Sequence, residues 1–544
     1  MQDGILTCIL MRMEKLKKTS FVAGAAILAF AGVLCKIIGV LIRIWAYDII
    51  GEMGMVYYEV VFPFYSWLLI ISSSGIPTAI SRMVSERFST GDFAGARRVF
   101  RRALILLAVV GALTTAVLYF GAEFFALSIL GKDSTYILSF TTLAPALFFV
   151  SCMCAYRGYL QGAQHMTGTG LSQLTEQVVK CIVGLMLAAR WIGRGPEYGA
   201  AGLLLGITVS ELVALLVVIA FRVKNRRLYM PLDASPTPAR EGRVIPELLR
   251  IAIPITLGAS IIPITGMLDV KMIFACMGRY MEEAAVNQRY VALSTNVRSL
   301  INLPASLTTA LAMSIVPAIA GARARQDTAG MHHFAGLGLK LSMAIGMPCA
   351  VGLFVLGGPV IQMLFRSIQP DSLAIATSIM HVASVSVIFI SLVQTMTGAL
   401  QGMGRQQWPV WSLLIGGVLK VISNYVFLSM PRVNILGASL SNVVCYGVAG
   451  IIDTVLVLKV TGLRVRIWNM FLKPLVCSLA MGAAVYFAYT GLCAIRPGTI
   501  STLASVLVGV GVYCLMAMMT ELFSAEELDS IPGGGRIKRF LRKE

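Results

Sequence analysis

The chain has 544 residues, 57% of them hydrophobic and only 13% charged, with a mean hydropathy of +0.81. A soluble protein of this length has too little interior for that much apolar side chain, and the weak ten-residue alternation of an outer-membrane barrel is absent. Long uncharged runs such as 103–120 and 500–520 recur, so the chain reads as an all-α polytopic membrane protein. The net charge of +19 is no nucleic-acid signal, because the cations lie mostly in short loops on alternate sides of the apolar segments.

In chain order, fourteen apolar stretches are long enough to cross a bilayer. They span about 20–47, 56–81, 103–122, 136–157, 171–192, 199–221 and 248–277. The rest span about 289–320, 334–357, 373–402, 409–429, 436–458, 468–491 and 500–521. The first is too long for a cleavable signal peptide and lacks a small-residue cleavage site near its end. Met13 offers a second candidate start. One side of the membrane receives Arg12, Lys15, Lys17 and Lys18, then six arginines in 82–102 and seven cations in 222–250. It also receives Arg323, Arg325, 459–466 and the tail 536–543, whereas each loop on the other side carries one or two cations. The bias places both termini in the cytoplasm. The eleven cysteines are scattered mostly through apolar segments, and Cys152 and Cys154 are too close for a usual zinc pair, so no disulfide framework is expected.

The connection 222–247 holds Pro231, Pro236 and Pro238 and reads as a cytoplasmic linker between two six-helix lobes, 20–221 and 248–458. An internal repeat supports the division. Gly158, Leu160, Gln161 and Gly162 end the fourth segment; Gly398, Leu400, Gln401 and Gly402 end the tenth, at an offset of 240. Ile76-Pro77 and Val316-Pro317 close the second and eighth at the same offset. Six helices per unit is an even number, so the repeat is parallel, and two facing lobes would enclose a cavity open to either side. The prolines and glycines also have a plain structural reading, as helix kinks and close-contact positions. Segments in 459–521 are two accessory helices, flanked by a basic tail 522–544; residues 1–19 form an N-terminal tail.

Ionisable groups inside such segments are the default functional candidates, since a cation in hydrocarbon costs roughly 2.5–3.5 kcal/mol on insertion scales. Lys36 and Arg43 interrupt the first stretch, and seven residues of helix place them within about 20° on one face. Such a face should meet protein, water or an anion. Arg43 can also snorkel to the outer surface, whereas Lys36 lies too deep to do so cheaply. Arg298, with Asn296 and Asn302 nearby, has no acid within a turn. Arg82 sits at the inner mouth of the second segment and also reads as an ordinary interface anchor. Lys180 follows Glu176 by four residues, the favourable order for a helical ion pair. Asp269 and Lys271 are expected in solvent near the outer end of the seventh segment. Asp453, Asn424 and Glu211 are candidates for binding a coupling cation, Na+ or H+, or for lining a cavity; Lys420 stands one turn from Asn424. No phosphate loop occurs, the four histidines lack metal spacing and no soluble domain is present, so the chain reads as a transporter rather than an enzyme, with no cofactor or resident metal.

The run from Gly32 through Lys36, Gly39 and Arg43 to Gly51 and Gly54 resembles the first helix and loop of stage V sporulation protein B proteins. Ser74 to Ser81, followed by Glu86, Gly91 and Asp92, is similar to their second helix, and Gly398 to Gly404 followed by Pro409 also fits. These proteins belong to the MOP exporter superfamily, with polysaccharide flippases, MATE drug exporters and lipid II flippases. The resemblance covers nearly the whole chain. It implies a plasma-membrane monomer with fourteen helices, the last two accessory. It also implies flipping of an undecaprenyl-diphosphate-linked cell-wall or polysaccharide precursor by alternating access, with lipids and no nucleic acid as partners. In similar lipid II flippases, cations on the first, second and eighth helices line the cavity; by motif position these become Lys36, Arg43, Arg82 and Arg298. Lysine stands at 36 where arginine is common, which keeps the charge and loses the bidentate fork. A cation-coupled multidrug antiporter of the same fold is the alternative. It would put buried acids, rather than Lys36 and Arg43, in command of the first lobe.

Overall fold

A computed structural model describes residues 2–225, 244–463, 466–495 and 498–523; side chains before residue 31, and that of Val33, lie outside the description. The expected linker prolines, Arg496 and the tail 524–544 also lie outside it. Among the described residues the chain is helical, with no strand. The first helix, α1 (Gln2–Ser73), is broken at Gly51, whose φ of 67° is open to glycine and strained for other residues. Then come α2 (Gly75–Ser89), α3 (Phe93–Phe120), α4 (Ile137–Gly162), α5 (Met166–Trp191), α6 (Pro196–Lys224) and α7 (Val244–Met277). After them run α8 (Glu283–Val291), α9 (Arg298–Ala324), α10 (Thr328–Leu364), α11 (Pro370–Gly402), α12 (Trp408–Leu428), α13 (Leu436–Thr461), α14 (Lys473–Ile495) and α15 (Thr499–Met519). A π-helical stretch, Ala292–Val297, joins α8 to α9.

Twelve described helices, from Phe93 onward, are long and apolar enough to cross a membrane, and they coincide with the third to fourteenth expected segments. The first two expected segments fall on α1 and α2, where the second runs across the break at Ser74. The chain is a multi-pass integral membrane protein. Its helices are apolar on both faces, as bilayer solvent demands. On α3, Ala103, Leu107 and Leu118 are buried, while Ile105, Val109, Leu113 and Val117 point outward, four residues apart.

Two compact units divide the chain, Met1–Lys271 and Met272–Glu544. In the first, a core of Ile80, Met83, Leu107, Met153, Tyr159 and Val218 extends to Leu248 and Ala252, so the start of α7 packs within this unit. In the second, Ile319, Leu339, Met343, Met396, Leu400 and Val457 form the core. There α14 and α15 lean on α10: Met481 and Val485 pack with Leu356, and Tyr513 Oη donates to Ala344 O at 2.8 Å.

The two units repeat their internal packing. A Cβ on Gly158 would lie 2.9 Å from Pro77 O, and one on Gly398 3.1 Å from Ala312 O. Gly162 and Gly402 bring the same helices together one turn on, where a Cβ would stand 2.8 Å from Val84 Cβ and 2.8 Å from Val316 O. Ser151 fits against Gly111 and Ser391 against Gly346, again with serines 240 apart. Gln164 and Gly404, also 240 apart, take left-handed backbone after α4 and α11. Asp92 and Asp327 cap α3 and α10, accepting from Gly95 N at 2.6 Å and Gly330 N at 2.8 Å. The small residues of the repeat are therefore close-packing positions.

Candidate functional site

The aligned pair on α1 is separated by what surrounds it. Lys36 is exposed and makes no ion pair among the described residues. Arg43 turns inward, with its side chain 18% exposed and Nη2 3.4 Å from Oε1 of the buried Glu59. Its guanidinium also lies 5.8 Å from the centre of the Phe62 ring. A void of about 10 Å³ separates Arg43, Tyr58 and Lys180. Arg82, on α2, lies on an open surface and pairs with Glu86 at 2.9 Å, four residues on; both side chains are more than half exposed.

A denser network joins α4 and α5. Arg157 Nε donates to Ser172 Oγ at 2.8 Å and its Nη2 lies 3.1 Å from Glu176 Oε2. Lys180 Nζ meets Glu176 Oε1 at 3.6 Å, so the expected helical pair forms, and Gln177 Nε2 donates to the same oxygen at 3.2 Å. Beside this network lies a cavity of about 340 Å³, walled by α1, α2, α4, α5 and α6. Glu211 of α6, 5% exposed, lines it and keeps Oε2 buried with no hydrogen-bond partner. Gln173 Oε1, on the same wall, is likewise buried and unpartnered. Neither Lys36 nor Arg82 lines this cavity.

In the second unit, Arg298 is half-buried at the start of α9 and makes no ion pair among the described residues. The π-helical stretch before it shifts the register of the helix, a device that recurs at functional sites. It leaves Ser294 Oγ, Thr295 Oγ1 and both side-chain atoms of Asn296 buried without hydrogen-bond partners, and Ser299 Oγ beside Arg298 shares that condition. Buried polar atoms are rarely left so, because each forfeits its hydration.

Asp453, on α13, is fully buried; Ser412 Oγ donates to its Oδ1 at 2.6 Å and Thr397 Oγ1 to its Oδ2 at 3.0 Å. Ser441 Oγ donates to Asn424 Oδ1 at 3.2 Å, and Lys420 one turn away is buried as well. Asp269 departs from expectation: it is 6% exposed, while Lys271 faces outward. Two residues of helix turn the side chains about 200° apart, so only one of them can face out. Among the described residues, no group of three or more His, Cys, Asp or Glu side chains could hold a metal ion.

A family model described as Lipid II flippase MurJ matches residues 80–504. The chain belongs to the lipid II flippase MurJ family. Relatives in Bacillus subtilis (strain 168) include the uncharacterized membrane protein YabM, 27% identical over 536 residues covering 96% of each chain. Lipid II flippase MurJ of that organism is 25% identical over 85% of this chain and 87% of its own. Its stage V sporulation protein B is 23% identical over 96% of this chain and 99% of its own. Among solved structures, lipid II flippase MurJ in an inward closed conformation is similar with a TM-score of 0.67 and 14% identity, over 91% of this chain and 98% of that one. An inward-facing multidrug resistance MATE family transporter of the MOP superfamily is similar with a TM-score of 0.63 and 16% identity, over 80% and 98%. At these identities the likeness is one of fold.

Sequence reasoning in this MurJ-family chain missed Arg157 and Gln173. Arg157 stands at the end of an apolar stretch, where a cation reads as an interface anchor. The available signal was its place one residue before the Gly158 repeat. Gln173 carries no charge and gives no signal until its helix face is known.

Proposed function

We propose that this chain moves a polyprenyl-diphosphate-linked cell-wall or polysaccharide precursor across the plasma membrane by alternating access, as a monomer with both termini in the cytoplasm. The observation that carries the reading is Arg298. It makes no ion pair among the described residues and follows a π-helical stretch whose buried serine, threonine and asparagine side chains lack partners. An anion with many acceptor oxygens satisfies both the guanidinium and the orphaned donors, and a diphosphate has that chemistry. Lys36, exposed on α1, is a separate candidate cation. Arg82 and Arg43 already have acidic neighbours, Glu86 and Glu59, and take secondary roles.

Asp453 is the proposed contact of a coupling cation, Na+ or H+, since it is a buried carboxylate held by hydroxyls. Asn424 pairs with Ser441 twelve residues along both helices, about 18 Å away, too far to share that ion. A cation-coupled drug antiporter is the second reading. Buried Glu211 and Asp453 favour it, and the positions of Lys36 and Arg298 oppose it. Reconstitution into liposomes separates the two. Flipping of lipid II or another diphosphate-linked precursor supports the first, and cation-driven efflux of a cationic drug with no lipid flipping supports the second.

A further inference from the structure

The cavity of the first unit has a chemistry unlike that of a diphosphate site. Its two nearest cations are engaged, Arg157 with Ser172 and Glu176, and Lys180 with Glu176. Glu211 is a further carboxylate on the wall, within electrostatic reach of Glu176, Arg157 and Lys180. An entering anion would meet that carboxylate and find the donors occupied. Two buried acceptors, Glu211 Oε2 and Gln173 Oε1, lack partners, so the missing group is a hydrogen-bond donor.

Size decides between donors. At about 340 Å³ the cavity has room for about eleven waters, far more than a bare ion would fill. Hydroxyl side chains of Ser73, Ser74 and Thr78 and the amide of Gln161 also line it, together with the apolar Leu69, Pro77 and Met153. Planar acceptors facing a group rich in hydroxyls, next to an apolar surface, suit a sugar ring.

We propose that this cavity is a subsite for a neutral, hydroxyl- and amide-bearing sugar unit of the cargo's head group, with Glu211 and Gln173 as its acceptors. The proposal rests on the flippase reading above and deepens it. It makes this cavity read the sugar and leaves the diphosphate to cations outside it.

The test is equilibrium binding to the purified full chain of two probes, a polyprenyl diphosphate without sugar and the same lipid carrying one N-acetylhexosamine. The variants are Glu211→Gln, which keeps shape and removes charge, and Gln173→Leu. Wild type should prefer the sugar-bearing lipid. Each variant should lose about tenfold in affinity for it, the scale of one hydrogen bond to a charged group, and bind the bare diphosphate as wild type does. Loss of both lipids in equal measure, or a wild-type preference that both variants retain, overturns the subsite and leaves the flippase reading in place. Wild type that binds neither lipid overturns the flippase reading and the subsite with it.

Discussion

Arg157 of α4 and Glu176 of α5 are joined by a 3.1 Å ion pair with both side chains about 15% exposed, and Lys180 meets the other carboxylate oxygen. One acid thus ties two helices together inside an apolar lobe. Removing Arg157 leaves Glu176 to Lys180 and Gln177 and takes a donor from Ser172, at a cost of about 2 kcal/mol. Arg157→Ala should therefore lower the thermal midpoint of the purified protein by several degrees. Arg157→Lys should recover part of the loss, because it restores charge and not the fork. An unchanged midpoint in Arg157→Ala would refute this role.

Arg43 and Glu59 make a parallel case with a separable outcome. Arg43→Ala leaves the 2% exposed Glu59 beside an empty site. The variant should be less stable, and adding Glu59→Gln should restore much of the stability. If the double variant is no better folded than the single one, the ion pair is not what holds Arg43.

Repeat glycines test packing. Gly162→Ala and Gly402→Ala place a Cβ within 2.8 Å of Val84 Cβ and of Val316 O respectively. Overpacking of that kind costs about 1–3 kcal/mol. Both should reduce the monodisperse fraction in size-exclusion chromatography. Gly193→Ala, with no atom within 4 Å, should not.

Asp453→Asn keeps one oxygen to accept from Ser412 or Thr397, turns the other position into a donor and removes the charge. It should leave folding near wild type and flatten the dependence of transport on Na+ or pH, measured in liposomes with an imposed gradient. Retained ion dependence would move the coupling site elsewhere.

Which helices are long and apolar enough to cross was legible from apolar length, as α3 to α7 and the helices from Glu283 to Met519 demonstrate. Where they end was not, since α3 begins at Phe93 and α10 runs from Thr328 to Leu364, well beyond the apolar stretches. The offset of 240 was legible at the glycines of α4 and α11, because close-packing positions need small residues in both units. The Pro77 and Pro317 match is not repeated in the packing, where Gly158 meets Pro77 and Gly398 meets Ala312. The facing of each helix was hidden. A segment apolar all round does not say how it is rotated about its axis, so Arg43 and Lys36, aligned on an ideal helix, receive different surroundings. For the same reason Asp269 reads as exposed and is buried. Glu211 was visible as an intramembrane acid, but its cavity depends on Arg157 and Gln173 arriving from two other helices.

The proposed function rests on Arg298 as a contact of the precursor's diphosphate, with Lys36 as a separate candidate cation. The most direct measurement is flipping of a fluorescent lipid II in liposomes by wild type, Lys36→Ala, Lys36→Glu and Arg298→Ala, at matched protein levels. Loss of one charged contact predicts at least a tenfold fall for each alanine variant, with the glutamate variant slower still. Flipping at the wild-type rate by all three variants would contradict the account.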